Sequence, residues 1–450
     1  MKQSAERLLE RELQSFAETH PRSRALSERA RSSLLAGVPM QWMLRWAGGF
    51  PVYAEKAWAA RFRDVDGIEY VDFCLGDTGA MTGHSPEPVV RAVAEQLGRG
   101  ITLMLPSEDA LRVAEELARR FGLPRWQFAL TATDANRFAI RLARELTKRP
   151  KILVFNWCYH GTVDETFATL AGGSVASREG NVGPPVPLGE TTRVVEWNDA
   201  EALERELAHG DVACVLTEPA LTNVGIVLPE PGFHEALREA TRRHETLLII
   251  DETHTICAGP GGYTAAYGLE PDLLTIGKPI AGGVPAAAYG FSAEVAARLE
   301  ELLPRDEKAD VGGIGGTVAA NVLSLAATRA TLAQVLTDDA FERMIALGER
   351  FEAGVARAIE RHDLPWHVTR LGCRVEYLFR RDRPRNGSEA AAGGDAELDR
   401  FIHLYALNRG ILLTPFHNMA LMSPATTEAD VDLHSAVFDE AAAELSATGA

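Results

Sequence analysis

Five cysteines in 450 residues, Cys74, Cys158, Cys214, Cys257 and Cys373, are odd in number, and no two form a C-x-x-C pair. That speaks against a disulfide framework or a cysteine-based zinc site and for a reducing compartment. Long apolar runs are missing too, and nothing approaches the ~20 residues of a bilayer-spanning helix. The opening stretch, MKQSAERLLERELQSFAETH, spaces Leu8, Leu9, Leu13 and Phe16 helically among charges, without the apolar core of a secretory signal. Positive charge is in deficit, with 46 Lys and Arg against 63 Asp and Glu and a formal net charge of −17. A chain of that sign makes a poor binder of phosphate backbones. No internal repeat is present. The expectation is a cytoplasmic protein with neither nucleic acid nor membrane as partner. Its 46% hydrophobic and 24% charged residues are ordinary for a globular chain.

From about Trp126 to Leu299, short β-rich runs alternate with helical patterns. The runs are WQFAL, KILVF, DVACVL, TLLIID and DLLTIG; between them lie DANRFAIRLARELTK, AEALERELAHG and GFHEALREATRRHE. Such alternation implies a mainly parallel sheet covered on both faces, with ligands bound beyond the carboxyl ends of its strands. The fold class is therefore α/β, a large domain joined to a small α+β domain drawn from both chain ends. Residues 1–75 are expected to join the small domain, 76–325 to form the large one, and 326–450 to complete the small one. In the first segment, ARFRDVDGIEYVDF carries Asp66-Gly67 as a hairpin signal. HVTRLGCRVEYLF reads as a strand pair, and RRDRPRNGSEAAAGGDAE (380–397) as a polar surface loop.

Two apolar runs each stop on one charge: LLIID on Asp251, and LLTIGK on Lys278. At strand ends both face the cleft. A lysine there can form a Schiff base with an aldehyde, and a carboxylate can keep a pyridine nitrogen protonated, which together describe pyridoxal phosphate. A structural salt bridge is the alternative for one isolated pair. QFALTATDANRFAIRLAR adds Thr131-Ala132-Thr133 at the start of a helix, an anion site by its unpaired N–H groups. Those threonines equally suit a helix cap.

These blocks in this order resemble the class III pyridoxal-phosphate-dependent aminotransferases, of the branch with glutamate-1-semialdehyde aminomutase and the β-amino-acid and amine (omega-) transaminases. The resemblance runs over roughly residues 35 to 440. The family's S-G-T-E-A-N appears as Thr131-Ala132-Thr133-Asp134-Ala135-Asn136, and its aromatic-His-Gly as Tyr159-His160-Gly161. Glu218-Pro219, Asp251-Glu252-Thr253-His254, TIGKPIAGGVP and Gly316-Thr317 follow. The resemblance implies an aspartate-aminotransferase-like fold with pyridoxal 5'-phosphate as cofactor. It implies that Lys278 is the imine lysine and proton shuttle, and that Asp251 partners the ring nitrogen. Thr131, Ala132 and Thr133 would hold the phosphate, Tyr159 would stack on one ring face, and Thr253 would cover the other. His254 would lie near the cofactor's 3-oxygen, and Glu218 beside the cleft. Thr317 would reach the phosphate of a neighbouring subunit, giving a homodimer with composite sites. His160 and Gly161 read as fixing a turn, and Cys158 as a packed thiol.

For the substrate, PMQWMLRWAGGFPVY and ILLTPFHNMALMS supply Trp42, Arg45, Trp46 and Phe416. Where β-amino-acid relatives have Pro-Arg, this chain has Pro415-Phe416. Aromatic walls suit a hydrophobic amine better than a dicarboxylate. The expected activity is transfer of an amino group from a hydrophobic primary amine or amino acid to a keto acid such as pyruvate. A glutamate-1-semialdehyde-type 2,1-aminomutase and a β-amino-acid aminotransferase are the alternatives, with a non-catalytic pyridoxal-phosphate protein as a third class. No metal is expected.

Overall fold

Strands that are apolar at nearly every position need cover on both faces, and the central strands of the seven-stranded main sheet obtain it. The seven are β1 (Arg125–Ala129), β2 (Lys151–Phe155), β3 (Thr192–Val195), β4 (Val212–Thr217), β5 (Leu247–Asp251), β6 (Leu273–Ile276) and β7 (Ala287–Phe291). In space the order is β1-β7-β6-β5-β4-β2-β3. Neighbours from β6 to β3 are parallel, and β7 runs antiparallel to both β6 and β1. The computed structural model of the protein describes residues 2–183, 187–302 and 313–447.

The two-residue period of a strand assigns each side chain to one face. Ile152, Val154, Leu216 and Ile249 point to the face covered by α1 (Ala132–Thr147), with its Ala135, Ala139, Ile140 and Ala143. Leu153, Phe155, Val215, Leu248 and Ile250 point to the other face, under α2 (Ala200–Leu207) and α3 (Phe233–Arg243). The same alternation turns Asp251, two residues after Ile249, toward α1. The short runs of the sequence are these strands. β3 and β7 escaped it, since TRVV is brief and AAYGF lies behind a glycine-proline stretch that reads as loop.

The chain divides into two compact units. The larger is Glu87–Phe341 with Pro384–Ala392; the smaller is Met1–Pro86, Glu342–Arg383 and Gly393–Ala450. These limits differ from those expected at 75 and 325. His84 bonds Asp72 at 2.7 Å, which ties the stretch to Pro86 into the smaller unit. The helix α4 (Val322–Gln334) packs on the helices Glu87–Leu97 and Glu108–Phe121 of the larger one. Nor is 380–397 a plain surface loop. Ser388 Oγ donates to Glu196 at 2.5 Å, Arg385 pairs with Glu230, and a Cβ on Gly387 would lie 2.3 Å from the Asn156 carbonyl oxygen.

In the smaller unit, Ala54–Trp58, Arg61–Asp64 and Glu69–Asp72 form an antiparallel meander, and Ile411–Leu412 adds in parallel to its edge. The Asp66-Gly67 turn stands where the sequence signals it, with Gly67 at φ 92°. His367–Leu371, Arg374–Leu378 and Met419–Leu421 make a second sheet. Phe16 of the first helix is fully buried against Phe62, Tyr70, Leu404 and Leu407. No helix among the described residues is long and apolar enough to cross a membrane.

Candidate active site

Asp251 closes β5 and stands in register with Thr275 of β6; Lys278 follows in the turn after β6. Both belong to the larger unit, at the carboxyl edge of the parallel strands. The Asp251 carboxylate is buried and receives three hydrogen bonds. Asn136 Nδ2 donates to Oδ2 at 2.8 Å, His160 Nδ1 lies 3.0 Å from the same oxygen, and the Thr253 amide donates to Oδ1 at 3.0 Å. Burial opposes ionisation, yet the bond and charge of His160, with the bonds from Thr253 and Asn136, hold Asp251 below the usual carboxylate range. On His160 burial opposes the charge, while Cys158 and Asp251 raise its pKa to about 10. The two shifts describe one buried ion pair.

The sequence reading took His160 for a turn-former and left Asn136 out of the site; the structure makes both partners of Asp251. Asn136 also accepts from the Thr275 hydroxyl at 2.6 Å, so one amide joins α1, β5 and β6. The signal was present in the aromatic-His-Gly block and in the Asn ending the TATDAN block. What the sequence lacks is the strand order that sets them against Asp251.

At the start of α1 the two threonines divide their duties. Thr131 is the N-cap, accepting from the Asp134 amide at 3.2 Å and donating to its carboxylate at 2.9 Å. Its hydroxyl is thus committed to the cap. Thr133 Oγ1 accepts from the Thr162 amide at 3.0 Å, which leaves its own hydrogen available to donate. Gly161, at φ 72°, is required for this approach, since a Cβ there would lie 2.1 Å from Thr133 Oγ1. Gly277 brings the lysine turn onto the helix start in the same way, with a Cβ only 3.0 Å from Ala132 Cβ.

Lys278 adopts φ 46°, a left-handed conformation that costs a non-glycine residue about 1–3 kcal/mol. Its Nζ lies 2.7 Å from His254 Nε2. Tyr159 keeps 37% of its surface exposed and sets its ring edge-on to Phe167 at 6.4 Å. Its loop is held by Asn223 Nδ2 on the Trp157 carbonyl at 2.9 Å and by Arg178 on the Cys158 carbonyl at 2.7 Å. Neither anchor is legible in sequence, because each comes from a distant loop. Glu218 is buried and accepts from the Thr222 hydroxyl. Thr253 Oγ1 and His160 Nε2 are buried atoms without a hydrogen-bond partner among the described residues.

Thr317 is exposed in a turn before α4. Trp42, Arg45, Trp46 and Phe416 all belong to the smaller unit. There Trp42 meets Phe416 edge-on at 5.7 Å and tilts against Trp46 at 6.5 Å, while Arg45 is exposed. Arg409 is engaged, 3.1 Å from Glu12 and over the Tyr405 ring. Among the described residues no cluster suited to a metal ion occurs.

Residues 43–439 match the family Aminotransferase class-III. The glutamate-1-semialdehyde 2,1-aminomutase of Sorangium cellulosum (strain So ce56) is 34% identical over 95% of this chain and 97% of its own length. A glutamate-1-semialdehyde-aminomutase structure from Pseudomonas aeruginosa PAO1 superposes with a TM-score of 0.97 at 52% identity, covering 99% of both chains. A lysine-to-alanine variant of that protein was solved in complex with PMP. An omega-transaminase from Sphaerobacter thermophilus is 29% identical, with a TM-score of 0.85 over 94% of this chain and 97% of its own.

Proposed function

The chain belongs to the class-III aminotransferase family and takes pyridoxal phosphate as its cofactor; from that premise we propose that it is a 2,1-aminomutase of the glutamate-1-semialdehyde type. This replaces the expected transfer from a hydrophobic amine to a keto acid as the leading reading. Near-complete alignment with an aminomutase at 52% identity is the observation that carries it.

The residues fit the cofactor by their chemistry. A buried carboxylate held ionised suits a protonated ring nitrogen, and Oδ1, with one donor so far, has an acceptor position to spare. When bound, pyridoxal phosphate supplies an aldehyde that takes the amino group and a ring that draws electrons away from it. Lys278 Nζ is assigned the bond to that aldehyde and the movement of the proton. Asp251 keeps the ring nitrogen charged, with His160 and Asn136 fixing its direction. Thr133 donates its hydroxyl to the phosphate beside the amide groups of the α1 start. Tyr159 offers a flat ring face and Thr253 a small β-branched one. A second copy of the chain brings Thr317 to the phosphate; the exposed Ile101, Leu103, Met104 and Leu105, with Val318, suit such a contact.

In an aminomutase the amino group leaves and returns to one carbon skeleton, so no keto acid is consumed. Purified protein in its pyridoxamine form is given glutamate-1-semialdehyde alone, and 5-amino-4-oxopentanoate is followed. Its formation in the absence of any keto acid supports the reading. The edge contact of Trp42 with Phe416 favours the amine transaminase as the second reading. Alanine formed from pyruvate and a hydrophobic amine, with no isomerisation of the semialdehyde, decides for that one.

A further inference from the structure

His254 touches the amine of the site. Its Nε2 is 2.7 Å from Lys278 Nζ, the separation of a charge-assisted hydrogen bond, and both side chains are half-buried. The turn that carries it is held firmly. Glu252 accepts from the Thr255 hydroxyl at 2.5 Å and from the Tyr263 and Thr264 amides at 3.1 and 2.5 Å, while the Thr253 amide is bound to Asp251. Opposite, the left-handed backbone of Lys278 and the close seat of Gly277 on Ala132 fix where the lysine begins.

A nitrogen-to-nitrogen hydrogen bond holds one hydrogen. If Lys278 is an ammonium, the imidazole is neutral with its hydrogen on Nδ1, and Nε2 accepts. If the hydrogen crosses, a free amine faces an imidazolium that donates from Nε2. One proton moves, the pair keeps its single positive charge, and no further reagent is needed. We propose that His254 is the proton-exchange partner of Lys278, taking the ammonium proton so that the amine lone pair is free and returning it afterwards. The inference rests on Lys278 being the reacting amine, and holds whether the substrate is a semialdehyde or an amine.

An imidazole exchanges protons with water near neutral pH, which a lysine alone does slowly. Titratable groups on the surrounding elements include Asp251 and His160, closed on each other, Glu252, closed on the Gly262–Ala266 helix, and the buried Cys257 of the turn after His254. Lys278 is bonded to His254 directly.

In the pyridoxamine form of the holoenzyme Lys278 is a free amine, so its labelling by an amine-reactive reagent, read by peptide mapping, reports its proton state without turnover. In the native protein, labelling should rise with pH in two steps, and His254→Gln, which cannot carry a proton, should lose the step near neutrality. Single-turnover transfer should fall on the order of 10²-fold in His254→Ala. Added imidazole should restore it, and more basic imidazoles should restore more. Labelling in His254→Gln with the native pH profile would overturn the inference. So would a His254→Ala protein of native melting temperature and cofactor spectrum that ignores imidazole. Should the reagent and the cofactor both map to another lysine in the native protein, it is the assignment of Lys278 that fails.

Discussion

Replacing Asp251 with Asn removes the carboxylate that faces a buried imidazolium. In the native chain burial opposes the charge on His160, and Cys158 and Asp251 lift its pKa from 6.5 to about 10. Cys158 and Asp251 share that lift, and removing one partner of a buried pair costs about 3–5 kcal/mol. That cost is a large part of the ~5–15 kcal/mol that holds a typical domain folded. The sign with pH follows from linkage. A raised folded pKa gives His160 a contribution that is complete below pH 6.5 and is lost as pH rises through about 10. Asp251, depressed in the fold, contributes above its unfolded value of 3.8 and loses this as pH falls further.

Native stability should therefore decline between pH 6.5 and 10, whereas Asp251→Asn, which keeps only the share from Cys158, should decline less, so that the gap between them narrows as pH rises. The assay is denaturant unfolding of the cofactor-free protein at pH 6 and 9.5, followed by tryptophan fluorescence. The cofactor is left out because anything bound to the native state alone adds stability of its own. A cost under about 1 kcal/mol at pH 6, or a gap equal at both pH values, would refute the ion pair as described.

Borohydride reduction of the holoenzyme should fix the cofactor to the peptide containing Lys278; a label on any other lysine refutes its assignment. Gly161→Ala should cost about 1–3 kcal/mol and weaken cofactor retention, measured by dialysis and absorbance, because its Cβ collides with Thr133; retention at the native level would show that the loop can yield. Mixing Lys278→Ala chains with Thr317→Ala chains should recover part of the activity if Thr317 serves a second copy, and hybrids that form yet stay inactive would refute that. Arg45→Ala should raise the KM for a carboxylate substrate while sparing amines without one, and equal loss on both would make Arg45 structural.

Much of the fold was legible because parallel strands write themselves as short apolar runs between helical periods, as in KILVF, DVACVL and TLLIID. The Asp66-Gly67 hairpin and the HVTRLGCRVEYLF pair were legible from turn chemistry. What escaped was set by tertiary contact. AAYGF became an antiparallel strand only because β1 and β6 flank it, and Pro384–Ala392 is pinned to the larger unit because Asn156, Glu196 and Glu230 lie in reach. In the site, Asp251 and Lys278 were visible as charges at the ends of apolar runs. His160 and Asn136 were not visible as partners of Asp251, since a carboxylate's neighbours follow from strand order and not from sequence distance.

Substrate choice was the hardest to read, and the reason is physical. The sequence offers Trp42 and Phe416 as aromatic residues of two candidate walls, and their rings meet edge-on at 5.7 Å. Aromatic contact, however, reports only that a surface is apolar; it does not exclude a carboxylate bound by a cation placed beside it. An arginine missing from one motif position therefore says little against an acidic substrate while another cation can supply the charge. Arg409 is a poor choice for that, being held by Glu12 and Tyr405, and the exposed Arg45 is a better one. An exposed guanidinium on a long flexible stem can turn toward an acid or away from it at little cost. If Arg45 supplies that cation, the KM of Arg45→Ala for an acid is more telling than any count of aromatic residues.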